Sequence, residues 1–447
     1  MPNPDHQILL RDFFRALPLQ ATGGHNPSGT YVNRACDNGH DPVARLRQAI
    51  EWEVSDYGNA YLFSGLRGSG KTTELNRLIE ELQKDPAEPV ATYYCDVSNY
   101  LNLNDPKLSL PDLLMTVLAG LADAVRQAFG PDCLGNENSI WARIQRKLNA
   151  DVTFKPKFKT GMGGTSIEIE AALNENPDFR QQLNRFAAES ASFYDEASAF
   201  SADVIKLVKD RKGCDKIVLV VDSLERLTAP TSEGKKLFDS LKAIFFNEPA
   251  RLRLPGLTIV YSAPPYLEMV LPNVKAGFSG SVSLSNFKVI KHNPEKPDEC
   301  GKCPEGIGRM VEVINHRFPR WQEALSRQVL EHLAWMSGGN VRRYFLLLRT
   351  VTSKAALAQA ELPVSSADHP VIRDALNYEA QSLQWLTAPD RRWLAHFMNN
   401  SHNAVREVES IEQDIPAILR LFDHALVLDY QNGSLWYQVP PLVREHV

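Results

Sequence analysis

The octapeptide Gly65-Leu66-Arg67-Gly68-Ser69-Gly70-Lys71-Thr72 decides the fold, because it fills every position of the pattern G-x-x-x-x-G-K-[ST]. A short apolar run, Tyr61–Phe63, precedes it and predicts a buried strand. Apolar residues recur at helical spacing from Leu75 to Leu82, so a helix is predicted after it. A glycine-rich loop between a strand and a helix brings backbone N–H groups close to phosphate oxygens. The sequence therefore predicts a phosphate-binding loop (P-loop) at residues 65–72.

Lys71 and Thr72 have expected partners in a nucleoside triphosphate. The Lys71 ammonium would bind the β and γ phosphates, and the Thr72 hydroxyl would hold a magnesium ion. The helix that begins near Lys71 adds the positive end of its dipole. We therefore predict ATP and Mg²⁺ as cofactors. The predicted nucleotide-binding residues are Gly65, Arg67, Gly68, Ser69, Gly70, Lys71, Thr72 and Thr73.

A second apolar run, Lys216–Asp222, ends in a carboxylate. A buried parallel strand places its last residue at the carboxyl edge of the sheet, where Asp222 would reach the magnesium through its water shell. Glu225 lies three residues further on and is a candidate for polarising the attacking water. The ordinary alternatives are a strand-terminal aspartate and a glutamate in the first turn of a helix.

Strands alternate with helices along the first part of the chain. Besides the strands above, apolar runs predict strands at Val90–Val97, Leu257–Ser262 and Val282–Ile290. This alternation predicts an α/β fold with a parallel sheet that helices cover on both faces.

Residues 131–210 interrupt the alternation. The sequence there predicts a hairpin around Gly161–Gly164 and a helical stretch at about Pro177–Asp210. The hairpin would either present an edge to a partner or pack onto that helix.

The composition is that of an ordinary globular protein, with 43% hydrophobic residues, 23% charged residues and a formal net charge of −5. A mildly acidic chain has no general attraction for nucleic acid or anionic lipid. No apolar run approaches the roughly 20 residues of a membrane-spanning helix, and the N-terminal residues lack a signal-peptide pattern. Six scattered cysteines are typical of a reducing compartment. We therefore expect a cytoplasmic protein with no membrane span.

The order of the P-loop, the strand ending in Asp222 and the later strand Leu257–Ser262 resembles the AAA+ and STAND branch of the ASCE P-loop ATPases. The resemblance implies that Ser262, at the end of its strand, senses the γ-phosphate. A serine that bonds its own backbone is the alternative. Tyr31–Arg34 stands where these ATPases have a hydrophobic-Gly-Arg box near the adenine, with Asn33 in place of the glycine.

A further segment, Ser337–Arg343, resembles the helical lid of the same ATPases. In that lid, a Gly-Asn/Asp-x-Arg arrangement puts an arginine over the nucleotide. The resemblance makes Arg342 the implied nucleotide contact and Arg343 its rival. A solvated helix arginine is the alternative interpretation.

The C-terminal residues resemble a winged-helix domain. A helix predicted at Asp414–His424 is followed by the runs Leu426–Tyr430 and Leu435–Val439, around the strong turn signal Asn432-Gly433. This candidate recognition helix carries one arginine, Arg420, against two aspartates. Contact with a protein, or gating of the nucleotide, is therefore favoured over DNA binding.

One feature departs from the family pattern. The stretch Tyr266–Gly280 contains Lys275 but no arginine where AAA+ rings present an arginine finger, which points to slow turnover. Arg251 and Arg253 either act in trans or belong to a charged loop.

Cys300 and Cys303, with His292 nearby, supply only part of the four ligands that a structural zinc site needs. Both a metal at this loop and two ordinary cysteines are compatible with the pattern.

These patterns predict four parts: an N-terminal extension (1–40), a P-loop core (41–292) with an insertion at about 131–210, a helical lid (305–370) and a winged-helix-like domain (371–447). The expected function is an ATP-binding and ATP-hydrolysing switch that controls a partner protein or effector, as in bacterial signalling or antiviral defence. A nucleotide-dependent homo-oligomer is a further candidate partner. Two alternatives stay open: a DNA-binding AAA+ loader or transposition-type regulator, and an ATP-locked scaffold with negligible turnover.

Overall fold

The structure is a computed structural model, and its described residues form a set of ranges along the chain. They are 4–19, 29–33, 41–84, 89–135, 140, 143–144, 173, 177–189, 191–271, 273–293, 301–399, 411–432 and 434–446. The hairpin predicted around Gly161–Gly164 lies outside these ranges, as do Arg34 and Cys300.

A five-stranded sheet forms the core, which confirms the predicted α/β fold. Its strands are β1 (Asn59–Gly65), β2 (Val90–Asp96), β3 (Lys216–Asp222), β4 (Thr258–Ala263) and β5 (Gly280–Leu284). The order in the sheet is β2-β3-β4-β1-β5, so β4 separates β1 from β3. The pairs β2–β3, β3–β4 and β4–β1 are parallel.

The prediction that the last strand continues to Ile290 is wrong, because β5 ends at Leu284. Beyond it, the backbone N–H of Asn286 donates to the carbonyl of Asp429, and that of Phe287 donates to the carbonyl of Gly339. Beyond Leu284 the backbone therefore bonds to other segments, and the alternation of buried and partly exposed residues breaks at Asn286 and Phe287, which are both buried.

The helices of the described residues include those predicted from apolar spacing after the P-loop and at Asp414–His424, with ends that differ by a few residues. They are α1 (Pro4–Arg15), α2 (Pro42–Trp52), α3 (Lys71–Leu82), α4 (Leu110–Phe129), α5 (Pro177–Glu189), α6 (Ser192–Lys212), α7 (Gly234–Lys242), α8 (Tyr266–Val270), α9 (Pro304–Arg317), α10 (Arg327–Met336), α11 (Val341–Leu357), α12 (Pro370–Gln381), α13 (Ala388–Asn399), α14 (Ile411–Asp423) and α15 (Pro441–Arg444). The stretch predicted at Pro177–Asp210 is thus two helices, α5 and α6. Within the described ranges, no helix combines the length and apolar character needed to cross a bilayer.

All residues of β1 and β4 are buried, and so are those of β3 except Lys216. Strands that are covered on both faces read as continuous apolar runs, which is why these three were visible in the sequence. Lys216 is accommodated at the strand start, where its ammonium donates to the carbonyls of Ile50 (2.6 Å) and Glu51 (2.7 Å) at the end of α2. A lysine is well suited to the free carbonyls of a helix C-terminus.

Helix α4 packs directly on β2. It begins with a capping box in which Ser109 and Asp112 bond each other's backbone N–H groups. Arg180 of α5 also donates to the buried Asp112 carboxylate (2.6 Å), which ties α5 to the start of α4. In the middle of α4, a Cβ on Gly120 would lie only 2.1 Å from the sulfur of Cys95 in β2. This glycine sets how closely the helix approaches the sheet.

The chain forms two compact units. The first consists of Met1–Pro42, Gly65–Asn76 and Ser283–Val447, and the second consists of Val43–Ser64 and Arg77–Val282. The P-loop therefore belongs to the same unit as the helices that follow β5.

Helix α1 packs along α11 within the first unit. The guanidinium of Arg349 lies 3.7 Å from the ring centre of Phe14 and donates to the carbonyl of Leu17 (3.0 Å). Phe13 stacks on Phe318 with ring centres 4.8 Å apart. Helix α1 is thus an integral part of this unit.

The C-terminal segment contains the predicted hairpin. Strands β6 (Leu428–Asn432) and β7 (Ser434–Gln438) pair antiparallel, and α13 packs on α14 before them. The Asn-Gly turn signal was sufficient to predict this pairing from local sequence.

Replacing Gly120 by Ala tests the contact between α4 and β2. Alanine is the better helix former by about 1 kcal/mol, but its Cβ would overlap Cys95, so we expect a net loss of about 1–3 kcal/mol in the free energy of unfolding. Urea denaturation measures it. Gly308→Ala in α9 is the matched control, since no atom lies within 4 Å of its added Cβ, and it should be neutral or stabilising. A Gly120→Ala protein as stable as the wild type would contradict this account.

Candidate nucleotide-binding site

The predicted P-loop lies between β1 and α3. Gly68 and Gly70 adopt left-handed backbone conformations, with φ of +81° and +99°. Residues with a Cβ rarely adopt this conformation, and it turns successive backbone N–H groups toward one side of the loop. The glycines at these positions are therefore required by the backbone as well as by the motif.

Lys71 is held inside the loop. Its side chain is only 3% exposed, and its ammonium donates to the carbonyls of Gly65 (2.8 Å) and Leu66 (2.9 Å). A Cβ on Gly65 would lie 3.2 Å from the Lys71 side chain, so the first glycine of the motif leaves room for the lysine. The cation is thereby positioned before any ligand arrives.

Helix α3 starts at Lys71, which places Thr72 and Thr73 in its first turn. The N–H groups of a first turn have no carbonyl partner within the helix, and the dipole makes this end positive. One position further on, the buried Glu74 accepts hydrogen bonds from the Tyr31 hydroxyl (3.2 and 3.3 Å). Tyr31 of the predicted adenine-side segment thus contacts the helix that follows the P-loop.

The predicted lid arginine lies on the loop. The backbone N–H of Arg342 donates to the carbonyl of Gly68 (3.3 Å), and a Cβ on Gly68 would be 2.6 Å from the Cβ of Arg342. Its rival Arg343 points elsewhere and donates to the carbonyl of His424 (3.1 Å). The backbone N–H and the Cβ of Arg342 therefore lie against the P-loop, whereas the guanidinium of Arg343 bonds to the residue after α14.

Asn340 was not predicted as a site residue, although the structure puts it at the centre of this contact. Its Oδ1 caps α11 by accepting from the N–H of Arg343 (3.1 Å), and its Nδ2 donates to the P-loop carbonyl of Arg67 (3.1 Å). The sequence signal was available, since asparagine is a preferred N-cap residue before a helix.

A cavity of about 370 Å³ opens beside Arg67 and the first turn of α11. Arg342, Arg343, Asp423 and His424 are among its lining residues. Burial raises the pKa of Asp423 to about 8, an effect that the nearby Arg67 guanidinium opposes, and burial lowers the pKa of Arg343 to about 10. The cavity lining holds three arginines, Arg67, Arg342 and Arg343, against the two acidic residues Glu379 and Asp423. Its basic side chains therefore outnumber its acidic ones, which suits a phosphorylated ligand.

The other predicted residues lie in the second unit, at the ends of β3 and β4. The fully buried Asp222 accepts from the Tyr94 hydroxyl (2.8 Å) and from the N–H of Ser223 (2.7 Å). Burial and the Asp222 carboxylate both raise the pKa of Tyr94, so this hydroxyl stays protonated and donates. Tyr94 was missed because nothing in a strand sequence marks such a partner.

Ser262 is also fully buried, and it stands in register with Phe63, two residues before the first glycine of the P-loop. Its Oγ accepts from the N–H of Leu224 (3.0 Å), in the turn that follows Asp222. Glu225 is the next residue of that turn and is partly buried. The structure thus brings Asp222, Ser262 and Glu225 to one edge of the sheet.

Arg251 and Arg253 are engaged within the second unit. Arg251 forms an ion pair with Glu248 (2.6 Å) and lies over the ring of Tyr194, 4.2 Å from its centre. Arg253 donates to the carbonyl of Gly277 (3.1 Å). These contacts agree with the charged-loop interpretation of the two arginines.

Among the described residues, no group of three or more His, Cys, Asp or Glu side chains is arranged to hold a metal ion. Cys303 donates its thiol hydrogen to Glu305 (3.2 Å), and burial raises its pKa. Cys300, its partner in the C-x-x-C pattern, lies outside the described ranges.

The loop residues fit a nucleoside triphosphate with magnesium. The evidence is the pair of left-handed glycines, the buried ammonium of Lys71 and the hydroxyls of Thr72 and Thr73 at a helix N-terminus. The Thr72 hydroxyl is an oxygen donor, which is the ligand type that Mg²⁺ prefers.

Comparisons with known proteins give weak likenesses only. No family model matches the chain, and no curated protein matches it significantly. Among solved structures, the ORC2 protein of Aeropyrum pernix in ADPNP and ADP complexes is 12% identical and matches with a TM-score of 0.39, covering 98% of each chain. Cdc6p of Pyrobaculum aerophilum is 11% identical with a TM-score of 0.38, covering 94% of each chain. The RuvB Holliday junction branch migration motor of Thermotoga maritima is 13% identical with a TM-score of 0.35, covering 94% of this chain and 97% of RuvB.

Replacing Gly68 by Ala tests the contact between the P-loop and Arg342 at the start of α11. The added Cβ would strain a left-handed residue and overlap Arg342, so we expect ATP affinity to fall about tenfold or more. Calorimetric titration measures it. Gly130→Ala is the matched control: its φ is +100° but nothing lies within 4 Å of its added Cβ, so ATP affinity should not change. Unchanged affinity in Gly68→Ala would show that this contact is unimportant for the site.

Proposed function

We propose that this chain is a P-loop ATPase that acts as a nucleotide-dependent regulatory switch for a partner protein. One observation carries the proposal: the left-handed loop holds the buried Lys71 ammonium, and the lid turn at Asn340–Arg342 is seated on the same loop. A loop of this kind binds the phosphates, and a lid seated on it can respond to them.

Lys71, Thr72 and Asp222 are the proposed binding residues for the triphosphate and its metal. The Lys71 ammonium would exchange the carbonyls of Gly65 and Leu66 for phosphate oxygens, which carry more negative charge. Thr72 and Asp222 would hold Mg²⁺, which supplies positive charge to the transferring phosphoryl group. The Tyr94 hydroxyl keeps the Asp222 carboxylate in a fixed orientation.

Glu225 and Ser262 are the proposed residues for hydrolysis. Glu225 would orient and polarise the attacking water. Ser262 accepts from the N–H of Leu224, so its hydroxyl hydrogen can be donated to a γ-phosphate oxygen. The engagement of Arg251 and Arg253 within their own unit supports slow turnover without an arginine finger.

Arg342 is the proposed sensor in the lid. It would contact the γ-phosphate from the residue that rests on Gly68. Loss of this phosphate on hydrolysis removes one contact between the lid and the loop, and a ligand that contacts one lid arrangement better shifts the population toward it.

The C-terminal domain is proposed as a protein-contact module. The arginine of the candidate recognition helix, Arg420, donates to the buried Asp390 (2.7 Å). Arg392 of the preceding helix is paired with Asp414 (2.5 Å). Guanidinium groups that are already paired offer little to DNA phosphates. We therefore place the switch beside a protein effector, in bacterial signalling or antiviral defence as the STAND resemblance implies, and not on DNA.

Replacing Lys71 by Ala tests nucleotide binding. Loss of the ammonium removes the charge-assisted contacts to phosphate, so Mg²⁺-dependent ATP affinity should fall by about a hundredfold. Calorimetric titration of ATP and GTP measures it, with Lys235→Ala, an exposed lysine of α7, as the control. A wild-type protein without affinity for either nucleotide, or equal affinity in Lys71→Ala, would overturn the proposal.

Replacing Glu225 by Gln tests hydrolysis separately from binding. The amide keeps the size of the side chain but is a poor base, so steady-state turnover should fall by about a hundredfold while ATP affinity stays unchanged. Phosphate release measures turnover, with the exposed Glu361→Gln as the control. Unaltered turnover would show that another residue orients the water, and no turnover in the wild type would favour the ATP-locked scaffold.

A further inference from the structure

A chain of hydrogen bonds runs from the P-loop to the C-terminal hairpin, entirely within the first compact unit. Asn340 Nδ2 donates to the P-loop carbonyl of Arg67 (3.1 Å) and to Asn286 Oδ1 (3.1 Å). Asn286 Nδ2 in turn donates to Oδ1 of Asp429 in β6 (2.7 Å). Three side chains therefore connect a nucleotide-binding loop to a strand at the far end of the sequence.

The direction of every bond in this chain is fixed by chemistry. The Asp429 carboxylate can only accept when ionised, so Asn286 must turn its NH₂ group toward it and its oxygen toward Asn340. Asn340 Oδ1 accepts from the N–H of Arg343, so its NH₂ group must face Asn286 and Arg67. The two requirements agree, and neither amide can be flipped without breaking two contacts.

The three side chains of this hydrogen-bond chain are buried, which makes each of its bonds costly to lose. Asn340 is 2% exposed, Asn286 5% and Asp429 1%. In a low-dielectric interior, a polar group that loses its partner keeps its desolvation cost without a compensating hydrogen bond, and the cost is larger if the group is charged. Displacing one member therefore displaces the others.

The backbone around the chain is packed too tightly to absorb such a displacement. A Cβ on Gly339 would be 1.9 Å from the carbonyl oxygen of Phe287, and one on Gly338 would be 2.6 Å from Leu428 of β6. The Tyr430 hydroxyl donates to the carbonyl of Gly338 (2.5 Å). The turn at Gly338–Asn340, the segment after β5 and the hairpin are therefore packed closely against one another.

We propose that Asn340, Asn286 and Asp429 are positioning residues that hold the P-loop carbonyl of Arg67 and thereby couple nucleotide binding to the hairpin β6–β7. The coupling rests on the nucleotide-binding function proposed above. Linkage makes it reciprocal: a partner that holds the hairpin changes nucleotide affinity by the same factor by which the nucleotide changes the partner's affinity.

Two variants disrupt the hydrogen-bond chain at different points. Asn340→Ser keeps a capping side chain for α11, but serine is too short to reach Arg67 and Asn286. Asp429→Asn keeps the size of the side chain but exchanges the carboxylate for an amide, whose oxygen accepts more weakly from Asn286 and whose NH₂ group can turn toward it instead. Asp390→Asn is the matched control, because Asp390 is a buried carboxylate of the same C-terminal segment with its own partners, Thr387 and Arg420.

Hydrogen exchange without nucleotide tests the positioning role, independently of any ATP binding. Both chain variants should speed exchange of the amides of residues 65–72, while Asp390→Asn should leave them unchanged even if it lowers stability as much. Equal loop exchange in Asp429→Asn and Asp390→Asn would overturn the positioning role.

ATP titration and exchange with saturating ATP test the coupling. We expect affinity to fall about fivefold to thirtyfold in both chain variants and to stay unchanged in Asp390→Asn. In the wild type, ATP should slow exchange of the amides of residues 428–438, and Asn340→Ser should lose this effect at saturation. Unchanged ATP affinity in both Asn340→Ser and Asp429→Asn would overturn the coupling. So would a wild type that binds ATP but whose hairpin amides exchange at the same rate with and without it. A wild type that does not bind ATP would overturn the proposed function together with the coupling, whereas the loop exchange still decides the positioning role.

Discussion

The structure depends on one close approach, in which the first residues of α11 rest on a glycine that has no side chain. The N–H of Arg342 reaches the carbonyl of Gly68, and the Asn340 amide reaches that of Arg67. Both contacts require the left-handed turn at Gly68, since a Cβ there would overlap Arg342 and Asn340. The left-handed glycine of the P-loop motif therefore also makes room for the first residues of α11.

Each set of polar side chains is organised within its own unit before a ligand is needed. In the first unit, two backbone carbonyls hold the Lys71 ammonium. In the second unit, Tyr94 fixes Asp222, and the N–H of Leu224 fixes Ser262. Groups that are already oriented need not reorganise when charge develops, which is the main source of electrostatic catalysis. In the chemistry we propose, the first unit therefore contributes an oriented Lys71 ammonium, and the second unit contributes an oriented Asp222 and Ser262.

The sequence was informative where a local pattern is sufficient. The P-loop, the buried strand ending at Asp222 and the Asn432-Gly433 hairpin each follow from a few neighbouring residues, and the structure has the loop and both elements. It was uninformative where a partner lies far along the chain. Nothing near Tyr94 or Asn286 indicates what it bonds, and the end of β5 was misplaced because its successors bond to Gly339 and Asp429. The roles of Glu225, Ser262 and Arg342, and the four-part division of the chain, remain predictions.

The division of the chain into two units affects the order in which the protein can fold. Gly65–Asn76 belongs to the same unit as Ser283–Val447, and the whole second part of the other unit lies between them in sequence. On the ribosome, the glycine loop emerges long before the turn that packs against Gly68 has been made. While residues 77–282 are synthesised, the loop therefore lacks its contacts with Asn340 and Arg342. Contacts between residues so far apart in the sequence form slowly. A chain terminated anywhere before Asn340 would carry the complete P-loop motif but would lack the residues at the start of α11 that contact it.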